Sequence, residues 1–120
     1  MKENEFSFLG SLSLWAYKIG HSCLLLRRVK SAEHSTRVDV LFKSVRWICL
    51  PSTIDDLQVS EVSDDTIKDL VNDVDLLRYS NEKVFKLHGK NNNGYVLASV
   101  VFFHEDTQSY SDPSYFEDFQ

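Results

Sequence analysis

The sequence predicts an α+β fold, an antiparallel sheet of about five strands with one helix packed on one face. Two hairpins and some short strands make up the predicted sheet, because alternating apolar and polar segments occur in two pairs around polar turns. One segment between the hairpins has apolar residues at helical spacing. The order of strands, one helix and strands favours an α+β sandwich.

The segments HSCLLLRRVK and RVDVLFK form the first predicted hairpin. Placing Leu26 opposite Val40 aligns the apolar faces of the two strands. The same register places Arg27 opposite Asp39, which is a favourable cross-strand charge pair. The alternation breaks at Ser44, which predicts a bulge that re-aims the strand.

A short strand and the predicted helix follow. The strand covers Leu57 to Val62, and Ser63 has the character of a helix N-cap with acidic residues directly after it. The apolar residues of the helix are Ile67, Leu70, Val71, Val74 and Leu77.

The segments KVFKLHG and GYVLASVVFFH form the second predicted hairpin, around the turn signal Asn93-Gly94. Strict alternation predicts one face made of Phe85, Leu87, Val96, Ala98, Val100 and Phe102. The apolar and aromatic segment from Phe6 to Ile19 is interpreted as either an edge strand or a loop packed on the core.

The chain has 120 residues and a net charge of −5, and its length predicts a single domain over residues 1–104. Residues 105–120 carry five acids and no base among aromatic residues, and are interpreted as a C-terminal arm. The acidic balance argues against nucleic-acid binding. No apolar run approaches the ~20 residues of a membrane span, and the first residues do not resemble a signal peptide, so a cytoplasmic protein is expected.

No motif for a metal, a cofactor or a catalytic residue is found, which favours a non-enzymatic protein. Two weaker alternatives stay open: His104 lies beside two acids, and His21 shares a strand face with Cys23. A pocket near these residues, between sheet and helix, would make the chain a small-ligand or enzymatic domain. Cys23 and Cys49 are expected to be free buried thiols.

Large apolar residues on both faces of the sheet point to a partner surface, because one helix cannot cover both. Either the N-terminal segment covers the second face, or a protein partner or a second copy in a homodimer does. The arm either docks on a basic partner or folds back on its own body. The candidate partner-binding residues are Leu25, Val29, Leu41, Tyr95, Leu97, Val101 and Phe103 on the sheet, with Tyr115, Phe116 and Phe119 on the arm.

The run HSCLLLRR, then RVDVLFKSVRWICLP, then DDLQVSEV resembles small bacterial proteins of the immunity type, which neutralise a cognate toxin by binding it. In such families a strand hairpin leads into a short aromatic strand, a proline turn and another strand. The resemblance covers about residues 20–62 and implies a binding protein. It carries over no site residue.

Overall fold

A computed structural model describes residues 5–63 and 81–120 of the chain. These residues form one antiparallel sheet of eight strands. The strands are β1 (Phe6–Lys18), β2 (Cys23–Arg28), β3 (Arg37–Lys43), β4 (Trp47–Cys49), β5 (Thr53–Val62), β6 (Lys83–His88), β7 (Asn93–Ala98) and β8 (Val100–Asp106). Two short 3₁₀ turns, Ile19–His21 and Glu117–Phe119, complete the regular structure.

The predicted α+β class is therefore wrong. Residues 5–63 and 81–120 are nearly all sheet, with eight strands where about five were predicted, and they contain no helix longer than three residues. The predicted helix from Ile67 to Leu77 lies outside the described residues. Within the described part there is also no helix long and apolar enough to cross a membrane.

The N-terminal segment accounts for much of the difference, since it is a 13-residue strand in the middle of the sheet and not an edge. β1 pairs with β5 on one side and β2 on the other. Its pairing shifts once between Phe8 and Ser11 and again between Leu14 and Ala16. Gly10 lies in the first shift at a φ of +90°, a backbone conformation that favours glycine. These two bulges interrupt the alternation by which a long strand is recognised in a sequence.

The first hairpin has the predicted register. Leu26 lies opposite Val40, and Arg27 lies opposite Asp39. The strand also breaks at Ser44, which has a φ of +57° between β3 and β4. Local alternation and a charge pair were enough to fix this part of the fold, because both strands are close in sequence.

The sheet folds back on itself. The strand order is β4-β7-β6-β5-β1-β2-β3-β8, so β4 and β8 are the two ends of the sheet. After a bend β3 continues into β4, and after a bend β7 continues into β8. Because β3 pairs with β8 and β4 pairs with β7, these two bent strands join the ends of the sheet. Backbone hydrogen bonds from Arg46 to Leu97 and from Ser99 to Lys43 carry the pairing across the bend. The inner face encloses one continuous apolar core, in which Phe42 and Phe85 make an edge-to-face contact.

The bend at Ser99 changes which side chains of β8 face the core. Strict alternation predicts that Val100 and Phe102 join the core face, but the core contains Val101, and Phe102 is exposed. The irregular residue between β7 and β8 shifts the alternation by one position, so each side chain of β8 turns to the opposite face.

Candidate protein-binding face

Glu105 and Asp106, the first two residues of the predicted arm, end β8, so the arm proper is residues 107–120. It lies over the outer face of β2, β3 and β8. Leu25 and Leu41 are on this outer face, yet each is only 1% exposed. An open depression between the face and the arm is lined by Leu41, Phe102 and Phe116 among others. The arm therefore covers this part of the second apolar face, for which the sequence had suggested the N-terminal segment or a second chain.

Arg37 fixes the start of the arm. Its side chain is 1% exposed, and two of its nitrogens donate to the two carboxylate oxygens of Asp106, at 3.0 and 2.9 Å. It also donates to the main-chain carbonyls of Ser109 (3.1 Å), Asp112 (2.7 Å) and Pro113 (3.1 Å). The planar guanidinium suits this set, because it offers five donors in one fixed fork.

Arg27 and Asp39 form a second anchor. Arg27 donates from two nitrogens to the carboxylate of Asp39, at 2.6 and 3.0 Å, and both side chains are buried. Arg27 also donates to the carbonyl of Tyr110 (2.8 Å), and the Ser114 hydroxyl donates to Asp39 (2.7 Å). The charge pair predicted from sequence is thus a docking site for the arm.

Fewer polar contacts hold the end of the arm. Asp118 lies 3.5 Å from the ammonium of Lys43, and the Lys18 ammonium lies 5.2 Å from the ring centroid of Phe119. Cys23 is fully buried, and its thiol donates to the carbonyl of His21 (3.2 Å). Burial and the nearby Asp118 carboxylate together raise the pKa of the Cys23 thiol.

The docked arm and the strands beside it form a surface of seven rings, which we call the aromatic face. Its members are Trp15, Phe102, His104, Tyr110, Tyr115, Phe116 and Phe119. Tyr110 and Tyr115 are 63% and 62% exposed, and Trp15 is 41% exposed. Ring contacts connect four of them: His104 stacks on Tyr115 at 3.9 Å, Tyr115 contacts Phe116 at 5.6 Å, and Phe102 and Phe116 lie 6.4 Å apart. Trp15 lies over the guanidinium of Arg27 at 5.0 Å.

An open depression of ≈ 430 Å³ lies at the edge of the aromatic face. The residues that line it include Arg37, His104, Asp106, Asp112 and Tyr115. Burial alone raises the pKa of Asp106, but hydrogen bonds from Arg37 and from the amide of Gln108 outweigh this and the net pKa is lowered. Hydrogen bonds from the backbone and side chain of Ser109 lower the pKa of Asp112. Both carboxylates are therefore ionised at neutral pH.

The structure separates the predicted partner-binding residues into two groups. Leu25, Leu41, Leu97 and Val101 are buried within this chain, and are not accessible to a partner in this conformation. The residues with exposed or half-buried side chains are Val29, Tyr95, Phe103, Tyr115, Phe116 and Phe119. Only the last three of these lie together, on the arm. Phe103 lies elsewhere and packs on Phe6 and Phe8 at 4.8 and 5.3 Å.

Leu97 and Tyr95 belong to a smaller apolar group on the outer face of β4 to β7, with Trp47, Val62 and Val84.

The histidine and cysteine candidates do not converge on a catalytic arrangement. Cys23 is buried, and its thiol hydrogen-bonds to the main-chain carbonyl of His21 and not to the imidazole ring. His21 itself is exposed. His104 stacks on Tyr115, with Nε2 3.7 Å from Asp106. Both cysteines are free, and Cys49 is exposed, contrary to the expectation of two buried thiols. Across the described residues, no group of three or more possible metal ligands occurs.

Sequence reasoning missed Trp15 and Phe102 as members of this face, and considered His104 only as a catalytic or metal-binding candidate. A usable signal was present in Arg27 and Arg37, which occupy outward positions on two strands that are otherwise apolar. Arginine is rarely fully buried unless it is paired. Two arginines in apolar strands, beside a tail of acids and aromatics, would have predicted that the tail docks on its own body.

No protein-family model, curated protein or solved structure matches this chain. The resemblance to immunity-type proteins therefore stays a prediction.

Proposed function

We propose that this chain is a non-enzymatic cytoplasmic protein that binds another protein through its aromatic face. The observation that carries the proposal is that exposed rings are fixed on an arm whose backbone is held by two buried arginines. Tyrosine and tryptophan are the residues that most often contribute binding energy at protein interfaces. Rings that are already fixed lose little conformational entropy on binding.

A narrower proposal follows from the resemblance: the partner is a toxin, and the chain neutralises it as an immunity protein. Binding alone explains such an activity, and no catalytic group is needed. Co-expression with a toxin encoded beside the gene would restore growth of the host if this proposal is right. The protection would be lost when the aromatic face is altered.

The decisive experiment identifies a partner in extracts of the native host with the full chain, and then measures binding between purified proteins. Replacement of a central ring, Tyr115→Ala, is expected to weaken binding by about thirtyfold, as for an interface hot spot. Asn91→Ala, in the exposed turn between β6 and β7, is the matched control and should bind like the native chain. Unchanged affinity after replacement of both Tyr110 and Tyr115 would refute the proposal.

Light scattering of the chain alone decides whether the partner is a second copy. A dimeric mass that falls to the monomer on Tyr115→Ala would make the aromatic face a homodimer interface. A monomeric mass at high concentration would leave a different protein as the partner.

A further inference from the structure

We infer that the depression beside the His104–Tyr115 stack receives an arginine side chain of the partner protein. This inference rests on the proposed function, and it names the chemistry that one part of the aromatic face would recognise. It starts from three properties of the depression: an available aromatic ring, two carboxylates, and space for a planar group.

The ring is Tyr115. Its contact with His104 is nearly parallel, with 13° between the planes, so the stack covers one face of the ring. The side chain is nevertheless 62% exposed. A guanidinium stacks favourably on an aromatic face, because the ring quadrupole attracts the cation.

The carboxylates are Asp106 and Asp112. Arg37 also lines the depression, but its charge is paired with Asp106, and all its donor groups are directed at Asp106 and at carbonyls of the arm. Asp112 accepts the amide of Ser109 on one oxygen, Oδ2, at 2.9 Å. The hydroxyl of Ser109 also hydrogen-bonds to this carboxylate, and no base among the described residues forms an ion pair with it.

The balance of charge in the depression therefore favours a cation. A volume of ≈ 430 Å³ is sufficient for a side chain, and the opening to solvent admits one from a partner's surface. Arginine fits better than lysine, because its planar group can stack on Tyr115 and donate to Asp112 together.

The first test is an NMR titration of the isotope-labelled full chain with N-acetyl-arginine methylamide. Binding is monitored through the ring signals of His104 and Tyr115. Saturable shifts are expected at both rings. The neutral isostere, N-acetyl-citrulline methylamide, should bind at least tenfold more weakly. Equal binding of the two compounds, or shifts confined to other parts of the chain, would overturn the inference.

Two variants sharpen the result. Asp112→Asn keeps an acceptor for Ser109 but removes the charge, and should weaken binding about threefold, the effect of losing one exposed ion pair. Glu33→Gln removes the same charge from an exposed turn and should leave binding unchanged. If the two variants behave alike, Asp112 does not recognise the cation.

The source of the cation is tested with two further probes. The peptide Gly-Leu-Arg-Leu-Gly should bind more tightly than the single-residue amide, because its leucines contact the aromatic face. If free arginine binds more tightly than the peptide, the inference that the arginine belongs to a partner protein is overturned. If ring replacements abolish partner binding but the arginine probe never saturates, this inference fails while the proposed function stands. If the probe saturates and no protein partner is found, the proposed function fails, and this assignment to a partner fails with it.

Discussion

Replacement of Arg37 by methionine tests whether the arm is anchored by a buried ion pair. The substitution keeps the aliphatic volume but removes the groups that hold Asp106 and the carbonyls of Ser109, Asp112 and Pro113. The carboxylate of Asp106 and these carbonyls would lose their shared donor. The arm would then detach, or would stay docked with unsatisfied polar groups.

The expected cost follows from the burial of the pair. Breaking a buried ion pair by removing one partner typically costs about 3–5 kcal/mol. The Asp106 side chain is 18% exposed, so water would still solvate part of its unpaired carboxylate. We therefore expect a loss at the lower limit of this range, about 3 kcal/mol. A chain of 120 residues has an unfolding entropy of about 0.25 kcal/mol/K, so Tm should fall by about 12 °C.

Thermal and urea unfolding followed by circular dichroism measure this loss. Chymotrypsin provides a second readout, because the detached arm offers Tyr110, Tyr115 and Phe116 to the protease. Lys90→Met, which removes an exposed charge from a turn, is the control and should change stability by less than about 0.5 kcal/mol. The combined Arg37→Met and Asp106→Asn variant should cost less than the sum of the two single changes, since the two groups interact directly.

A loss below about 1 kcal/mol for Arg37→Met, together with native resistance of the arm to chymotrypsin, would refute the reasoning. The guanidinium would then not hold the arm. The aromatic face would have to be fixed by ring packing alone.

Three further outcomes are expected. The folded pKa of Asp106 lies below its ordinary value of 3.8, so its stabilisation is fully present above pH 3.8 and is lost as the pH falls through the folded value. Unfolding curves measured against pH should therefore show the native chain and Asp106→Asn converging in acid. A thiol reagent should label Cys49 rapidly and Cys23 slowly, and removal of residues 115–120 should accelerate the labelling of Cys23 alone. Gly10→Ala should destabilise by about 1–2 kcal/mol because of its positive φ, while Gly20→Ala, with open space around it, should be nearly neutral by the same unfolding assay.

The parts of the fold that sequence reasoning identified are those decided by local pairing. The β2–β3 register followed from alternation over two segments joined by a short turn, and the break at Ser44 followed from a local loss of alternation. In each case the deciding residues lie within one hairpin. Side chains two positions apart share a face, so a short strand carries its own register.

The failures occurred where the backbone departs from regular geometry. Gly10 and the shift near Leu14 interrupt β1, so its apolar residues do not alternate as those of one strand would. The irregular Ser99 reverses the faces of β8, so Phe102 turns outward into the aromatic face. A bulge changes which face every later side chain occupies, and composition alone does not locate it.

The charges show a different kind of failure. The sequence shows five acids in residues 105–120, but it does not show which base each of them pairs with. In the structure Arg27 pairs with Asp39 within the hairpin, and Arg37 pairs with Asp106 at the start of the arm. Pairing between segments distant in sequence depends on the closed sheet, and a charge sum along the chain does not contain that information.

The way in which the arm is held bears on what it can do. Arg27 and Arg37 contact the arm mainly through main-chain carbonyls, which every residue type provides. Ser114 is the main side-chain contribution of the arm to the two anchors, through its bond to Asp39. The side chains of Tyr110 and Tyr115 make no contact with either arginine anchor through a hydrogen bond, and both remain largely exposed, although Tyr115 stacks on His104. A segment whose backbone is fixed by the scaffold, and whose exposed side chains are not needed to hold it there, has the physical organisation of a recognition loop.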